Sequence, residues 1–228
     1  MQVSPTMNKN RRAVILLSGG LDSATTLYFA KKQGYKTFCL IFDYGQRHRK
    51  EIKQAVKIAQ FGQCPYTVVE ISLPWQGSAL LNRKMPLPQN RTIIPKEIPV
   101  TYVPARNIIF LSFAASYAET IGADAIFIGA NAVDYSGYPD CRPEFYQAYQ
   151  QTLRRGLKTG VEGKPLKIYT PLIRKSKAQI IRLGNNLKVP YHLTWSCYQG
   201  AKRPCGKCDS CLLRRKGFAE IGRPDPSF

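Results

Sequence analysis

A short string near the start of the chain has the residue types and spacing of a phosphate-binding turn. The sequence Ser-Gly-Gly-Leu-Asp-Ser at residues 18–23 follows an apolar run that begins at Arg12, and it precedes a helix-like pattern. Adjacent glycines let the backbone adopt positive φ and approach an oxyanion closely. The first N–H groups of a helix, at the positive end of its dipole, also attract anions. The two serines add hydroxyl donors, and Asp22 suits a helix N-terminus or a magnesium ion. We therefore predict a phosphate site at this turn.

Two other kinds of phosphate loop are excluded by the spacing. A Walker loop needs GxxxxGK[ST], which does not occur in the chain, and the dinucleotide fingerprint GxGxxG lacks its second and third glycines here. An ordinary strand–turn–helix connection without a ligand remains the alternative. The string resembles the SGGxDS pyrophosphate loop (PP-loop) of the ATP pyrophosphatase family. Members of that family split ATP between the α and β phosphates and transfer AMP to a substrate.

Four cysteines are crowded near the C-terminal end of the sequence. They have the spacing C-x7-C-x2-C-x2-C and are Cys197, Cys205, Cys208 and Cys211. Four thiolates in one short segment suit a closed tetrahedral zinc site, and a set without histidine or water indicates a structural metal. An iron–sulfur cluster and a redox pair are the alternatives. A secreted disulfide scaffold is not expected, because the chain shows no signal peptide and its cysteines are unevenly placed.

The elements that must position these groups alternate between strand and helix. This β-α-β-α-β series predicts a parallel sheet with helices on both faces. Ligands of such sheets bind at the carboxyl ends of the strands. The second strand ends in another polar turn at the same edge, residues 43–46. The predicted strands are 12–17, 36–42 and 66–71, and the predicted helices are 24–34 and 50–61.

The second half of the chain continues the alternation after a proline-rich stretch, 74–99, which we expect to be either a functional flap or disordered. A helix over 108–120 is apolar nearly all round, so we expect it to be buried. The remaining elements are strands at 124–128 and 167–172, and helices at 175–187 and 209–221.

Two basic residues stand where a helix dipole disfavours them. Arg106 precedes the apolar helix, and Lys177 lies near the start of the helix after the fifth strand. A cation at a helix N-terminus is a poor stabiliser. A phosphate partner would explain either residue, but a structural carboxylate would explain Arg106 equally well, and the role of Lys177 stays open.

The loop after the fourth strand combines aromatic and charged residues. Aromatic faces stack on planar heterocycles, and carboxylates accept hydrogen bonds from a guanine-like edge. A tyrosine-rich surface loop without a ligand is the alternative. The candidate substrate-binding residues are Asp134, Tyr135, Asp140 and Arg142.

Length and composition describe an ordinary globular chain with an unusual charge. The 228 residues are 44% hydrophobic, and no apolar run reaches the ~20 residues needed to span a bilayer. We expect a cytoplasmic protein with no membrane partner. The net charge of +20 favours anionic partners such as nucleotides, pyrophosphate or RNA, although a solvated basic surface would account for it.

Six motifs appear in an order that resembles one family over nearly the whole chain. They are SGGLDS, FDYGQRH, VPARN, DYSGYPDCR, TPLIRKSKAQII and WSCYQG…CGKCDSC. Together they are similar to the 7-cyano-7-deazaguanine synthase (QueC) family. The resemblance implies the parallel-sheet, doubly wound α/β fold of the adenine nucleotide alpha hydrolases. It also implies a PP-loop ATP-binding domain over 11–190 and a zinc segment over 191–228 packed on that domain, whereas the composition of residues 1–10 predicts a disordered lead.

The resemblance also implies an activity, in which 7-carboxy-7-deazaguanine and ammonia become the nitrile through two adenylations and an intermediate amide. It implies a structural zinc ion, Mg²⁺ with ATP, a homodimer, and no requirement for RNA. The residues expected to be catalytic are Asp22, Arg106 and Lys177, of which Arg106 and Lys177 would stabilise charge on the departing pyrophosphate. The residues expected to bind ATP are Leu17, Ser18, Gly19, Gly20, Leu21, Asp22, Ser23, Ala24 and Thr25.

Two other functions use the same features. A PP-loop enzyme that modifies tRNA, of the thiolase or lysidine synthetase type, would suit the basic charge, but 228 residues leave no room for a separate RNA-binding domain. A non-enzymatic zinc module that binds RNA would leave the phosphate turn unexplained.

Overall fold

A five-stranded parallel sheet forms the centre of the protein. The computed structural model describes residues 11–91, 97–133 and 137–228. The strand order is β3-β2-β1-β4-β5, and every neighbouring pair is parallel. The order reverses at β1, which lies between β2 and β4, so a crevice forms at the carboxyl ends of these strands. The strands are β1 Arg12–Leu16, β2 Lys36–Asp43, β3 Tyr66–Glu70, β4 Ala125–Ile128 and β5 Lys167–Tyr169.

Helices cover both faces of the sheet. Successive side chains of a strand point to opposite faces. In β1, Ala13 and Ile15 therefore join the core beneath α1, α2 and α6, whereas Val14 and Leu16 join the core beneath α3 and α4. The helices are α1 Leu21–Lys32, α2 Lys50–Phe61, α3 Arg106–Ile121, α4 Pro143–Gly156, α5 Lys158–Val161, α6 Lys177–Asn186 and α7 Asp209–Ala219.

The predicted doubly wound α/β fold is confirmed, and α2 has the predicted bounds. The expectation that the apolar helix is buried all round is wrong. In α3, Leu111, Ala114 and Ala118 pack on the sheet, whereas Ile108 and Phe113 are each 42% exposed. Two large apolar side chains of α3 are thus exposed, next to the exposed polar residues Ser112, Ser116 and Thr120. The fifth strand is shorter than predicted, and α6 begins at Lys177 because Ser176 caps it.

The proline-rich stretch packs against the body of the protein where it is described. The Arg47 guanidinium donates hydrogen bonds to the carbonyl oxygens of Ala79, Arg83 and Met85, at 3.0–3.1 Å. Further along, Asn90 N–H donates to the Lys207 carbonyl at 2.8 Å. This stretch therefore joins the β2–α2 turn to the cysteine segment. Residues 92–96 of the stretch, and the whole predicted lead 1–10, lie outside the described residues.

A buried ion pair holds together the parts of the C-terminal segment, residues 191–228. Arg214, only 2% exposed, donates to Asp225 at 2.7 and 3.0 Å, to Thr194 Oγ1 at 2.7 Å and to the Tyr191 carbonyl at 3.2 Å. A buried charge needs this full set of partners.

The division of the chain at residue 190 stays a prediction. Within the described ranges, no helix has the length and hydropathy that crossing a membrane requires.

Candidate active site

A cavity of about 260 Å³ opens at the carboxyl ends of β1, β2 and β4, where the switch in strand order predicts a ligand site. Elements distant in sequence form its walls. The turn after β1 contributes Ser18 and residues 20–23, and the end of β4 contributes residues 128–131. The other lining side chains used below are Tyr44, Gln46, His48, Glu51, Arg106, Tyr138, Lys177 and Trp195.

The backbone of the phosphate turn depends on glycine at one of its two glycine positions. Gly19 has a φ of 84°, and a Cβ atom there would lie 2.2 Å from the carbonyl oxygen of Glu51. Gly20 has a φ of −80° and caps α1, so the expectation of positive φ at both glycines is wrong for Gly20. Gly19 is therefore required by its conformation and by its contact with α2.

Hydroxyl groups hold the turn in shape. Ser18 Oγ and Ser23 Oγ are 3.0 Å apart, and Ser23 Oγ donates to the Gly20 carbonyl at 3.1 Å. The first N–H groups of α1 have no partner within the helix and point out of its N-terminus. The turn is thus ordered in advance for an anion.

Most of the predicted ATP-binding residues line the cavity, but Gly19, Ala24 and Thr25 do not. Leu17, Ser18 and residues 20–23 line it. Ala24 and Thr25 are fully buried within α1, where Thr25 Oγ1 is 2.9 Å from the Tyr191 hydroxyl.

Two of the three predicted catalytic residues form an ion pair at the cavity wall. Lys177 Nζ lies 2.8 Å from both carboxylate oxygens of Asp22. Lys177 is 8% exposed and begins α6, which is fixed by a capping box between Ser176 and Gln179. The pair therefore joins the first turn of α1 to the first turn of α6, across 155 residues of sequence.

The third, Arg106, lies at the N-terminus of α3 and faces the same cavity. Its Nη1 donates to the Tyr44 hydroxyl at 3.3 Å. The preceding residue, Ala105, has a left-handed conformation with a φ of 55°, which turns the chain into α3. Arg106 and Lys177 thus approach the cavity from opposite faces of the sheet.

The predicted substrate-binding residues that the structure describes, Asp140 and Arg142, differ in their burial. Asp140 is buried, and its Oδ2 accepts the Asn107 backbone N–H at 3.1 Å, so this carboxylate lies at the N-terminus of α3. Burial raises the pKa of Asp140, whereas the Asn107 N–H and Arg106 lower it. Arg142 is exposed and is not part of the cavity wall. Asp134 and Tyr135 lie outside the described residues.

Sequence reasoning missed a polar cluster that follows β2. Gln46 Nε2 donates to Glu51 Oε1 at 3.2 Å, and Gln46 Oε1 accepts the Tyr44 backbone N–H at 2.8 Å. Burial raises the pKa of Glu51 to about 7, although Arg106 and Gln46 lower it. The polar turn after β2 was a signal for Tyr44 and Gln46. The sequence pattern does not identify Glu51 as a cavity residue, because its position is typical of the exposed first turn of an amphipathic helix.

The four crowded cysteines converge on one point. Their Sγ atoms all lie within 4.8 Å of one another, and Cys205 Sγ is 3.9 Å from Cys211 Sγ. A zinc tetrahedron with ~2.3 Å bonds has edges of about 3.8 Å. Backbone N–H groups of Gln199 and Cys205 donate to Cys197 Sγ, which suits a thiolate ligand. The geometry fits a closed metal site that would be structural.

The cysteine segment contacts the phosphate turn directly. Trp195 N–H donates to the Gly19 carbonyl at 2.9 Å, and Trp195 Nε1 donates to the Cys197 carbonyl at 2.9 Å. Lys50 Nζ lies 3.6 Å from the centre of the Trp195 ring and donates to the carbonyl oxygens of Ala201 and Lys202. One tryptophan thus connects the candidate metal site to the turn.

Comparison with known proteins gives matches over nearly the whole chain. The sequence family described as "Queuosine biosynthesis protein QueC" matches residues 12–222. A 7-cyano-7-deazaguanine synthase from Trichormus variabilis is 55% identical over 219 residues, which cover 94% of this chain and 96% of that protein. A 7-cyano-7-deazaguanine synthase from Anaeromyxobacter sp. is 50% identical over 223 residues, with 96% of each chain covered.

Solved structures share the fold at low sequence identity. The structure of an NMN synthetase from Francisella tularensis superposes with a TM-score of 0.51 and 18% identity, covering 94% of this chain and 79% of that one. This likeness supports the architecture of the sheet domain.

Proposed function

We propose, from the premise that the chain belongs to the QueC family of queuosine biosynthesis proteins, that it converts 7-carboxy-7-deazaguanine into 7-cyano-7-deazaguanine. The reaction consumes ATP and ammonia. One observation carries the proposal: the phosphate turn at 18–23 opens onto the same cavity as Arg106 and Lys177. A nucleotide tail held by the turn would place its α-phosphate within that cavity.

Adenylation would activate the carboxylate of the substrate for attack by ammonia. A carboxylate is a poor electrophile, because oxide would have to leave. Transfer of AMP to the carboxylate supplies a good leaving group and releases pyrophosphate. Ammonia then displaces AMP and gives the amide. A second adenylation, on the amide oxygen, lets AMP leave again as the C≡N bond forms.

The residues of the cavity act by positioning and by electrostatics. N–H groups of the first turn of α1 would hold the β and γ phosphates. Arg106 and Lys177 would stabilise negative charge on the departing pyrophosphate. No cavity side chain is required as a covalent nucleophile, so catalysis rests on orientation of the reactants.

Asp22 would hold the magnesium ion that accompanies ATP. Its carboxylate accepts from Lys177, but each oxygen keeps a second lone pair, so the residue fits as a Mg²⁺ ligand. The ion would supply positive charge to the phosphate chain. Asp22 itself keeps Lys177 oriented toward the phosphates.

We assign the deazaguanine ring to the part of the cavity near Tyr138. The predicted substrate-binding residues, Asp134, Tyr135, Asp140 and Arg142, remain the proposal for its recognition. Asp140 supports this assignment indirectly, because its bond to Asn107 fixes the end of α3 beside the cavity. Tyr138 lines the cavity and its hydroxyl is 2.7 Å from Thr101 Oγ1.

A zinc ion at Cys197, Cys205, Cys208 and Cys211 would stabilise the fold and the position of Trp195. We further propose a homodimer in the cytoplasm that takes ammonia either free or from a partner and does not need RNA. The exposed apolar side chains of Ile108 and Phe113 on α3 support an interface between two copies.

Incubation with ATP, Mg²⁺ and ammonium, with and without the deazaguanine acid, tests the proposal. We expect AMP to form only with the acid, and mass spectrometry to show the nitrile, with two AMP released for each nitrile. AMP formation that requires tRNA instead of the acid would indicate the tRNA-modifying alternative. No AMP formation under either condition would contradict both enzymatic functions.

A further inference from the structure

Glu51 is a carboxylate on the cavity wall that the reaction scheme above does not use. It lies in the first turn of α2, and Arg106 faces it from the N-terminus of α3. The acidic residues that line the cavity in the described part of the chain are Asp22 and Glu51. Asp22 is bound through both oxygens to Lys177. Glu51 has no lysine or arginine bonded to it among the described residues.

The surrounding residues hold Glu51 at a fixed place. Gln46 uses its whole amide for this purpose, since Nε2 donates to Glu51 Oε1 and to the Phe42 carbonyl, and Oε1 accepts the Tyr44 N–H. The Glu51 backbone carbonyl packs against Gly19 so closely that a Cβ atom would not fit between them. The carboxylate is therefore positioned relative to the phosphate turn as well as to the cavity.

The proposed chemistry needs a proton acceptor near the substrate nitrogen. When the adenylated amide becomes the nitrile, the C–O bond to AMP breaks and AMP leaves with its electron pair. The last N–H bond must break in the same step, and its electron pair forms the third C–N bond. The proton needs a base, and neither the phosphate turn nor Arg106 can accept it.

We infer that Glu51 is this base: its carboxylate accepts the N–H proton of the adenylated amide as AMP departs, and then releases the proton to solvent. The inference rests on the proposed function. Glu51 is thus a catalytic residue of nitrile formation, Gln46 is its positioning residue, and the first adenylation of the carboxylic acid does not require either.

The ionisation of Glu51 agrees with this role. Burial raises its pKa to about 7, against the effects of Arg106 and of the Gln46 hydrogen bond. The groups that face it are Arg106 from α3 and the Tyr44 hydroxyl from the turn after β2. A base with a pKa near the working pH both accepts and releases a proton readily. Because the ionised form is the base, nitrile formation should rise with pH up to about 7 and level off above it.

The decisive assay starts from the carboxamide, so that the titration of ammonium does not affect the pH profile. Wild type and Glu51→Gln are compared for nitrile formed per second between pH 5.5 and 8.5. We expect Glu51→Gln to be about 100-fold slower, within the usual range for general bases, and to lose the rise with pH. Formate should partly restore Glu51→Ala. The control is Glu162→Gln, which replaces an exposed glutamate outside the cavity and should behave as wild type.

A second measurement separates this inference from the proposed function. Acid-dependent exchange of pyrophosphate into ATP, without ammonia, reports the first adenylation alone. No exchange in wild type would contradict the proposed function itself. If wild type exchanges, the inference requires exchange in Glu51→Gln within about threefold of wild type. Loss of pyrophosphate exchange in Glu51→Gln would overturn the inference, and so would a rate of nitrile formation in Glu51→Gln equal to that of wild type. The inference would also be overturned if the rise of the rate with pH disappeared in His48→Gln but remained in Glu51→Gln.

Discussion

At the scale of single residues, the site depends on charges that are paired before any substrate arrives. Burying the charge of Asp22 or of Lys177 without a partner would destabilise the folded protein, since both side chains are at least partly buried. Paired at 2.8 Å, they hold one cation beside the first turn of α1. Arg106 is held by a neutral partner instead, since it donates a hydrogen bond to the Tyr44 hydroxyl at 3.3 Å. The cavity is thus ready for a phosphate chain, and binding does not have to order these side chains.

Replacing Asp22 by Asn keeps the shape of the side chain and removes its charge. We expect acid-dependent AMP formation to fall at least about 100-fold, because Lys177 loses its orientation and Mg²⁺ loses a ligand. Asparagine still accepts one hydrogen bond from Lys177, so the loss of stability should be about 1–3 kcal/mol. Urea unfolding checks that the variant is folded. Normal AMP formation in folded Asp22→Asn would remove the pair from the mechanism.

The two glycines of the phosphate turn offer a matched comparison. In Gly19→Ala the new Cβ would meet the Glu51 carbonyl at 2.2 Å in a conformation with positive φ, whereas in Gly20→Ala the nearest atom is Ser18 Oγ at 3.4 Å. We expect Gly19→Ala to lower the free energy of unfolding by about 2 kcal/mol or more, and Gly20→Ala by less than about 1 kcal/mol. Thermal unfolding measures both. Equal stability of the two variants would contradict the account of this turn.

At the scale of elements, local patterns predicted most of the fold. The amphipathic period of α2 and the apolar runs of β1 and β2 identified their bounds closely, because these patterns reflect which face each element buries. The conformation of Gly19 in the turn at 18–23 and the convergence of the four cysteines agree with what their spacing predicts. Contacts between segments that are distant in sequence could not be predicted in this way. Asp140 reaches the N-terminus of α3 33 residues away, and Arg47 holds a loop through three carbonyls. No local pattern encodes such bonds.

The segment that carries the cysteines couples metal binding to the phosphate turn through Trp195. We expect one zinc ion per chain, and Cys208→Ser should lose it. The variant should unfold at a lower temperature and bind ATP more weakly, because Trp195 no longer holds the Gly19 carbonyl firmly. Metal analysis, thermal unfolding and titration with ATP measure these effects. Cys64→Ser, which changes a cysteine outside the cluster, is the control for metal content. Full zinc occupancy in Cys208→Ser would contradict this assignment.

At the scale of the whole molecule, the strand order brings the chemistry together. Because β1 lies between β2 and β4, the turns after these three strands meet at one edge of the sheet. Helices α3 and α6 then bring Arg106 and Lys177 to that edge from opposite faces. The net charge of +20 adds a long-range attraction for ATP and for an acidic substrate. The basic charge thus fits small anionic substrates.

The central claim is that the turn at 18–23 binds the β and γ phosphates of ATP. A crystal structure with an ATP analogue that cannot be cleaved between the α and β phosphates tests it most directly. We predict the β and γ phosphates against the N–H groups of residues 20–23, with the α-phosphate turned toward Arg106 and Lys177. A nucleotide bound elsewhere, with this turn empty, would contradict the enzymatic account.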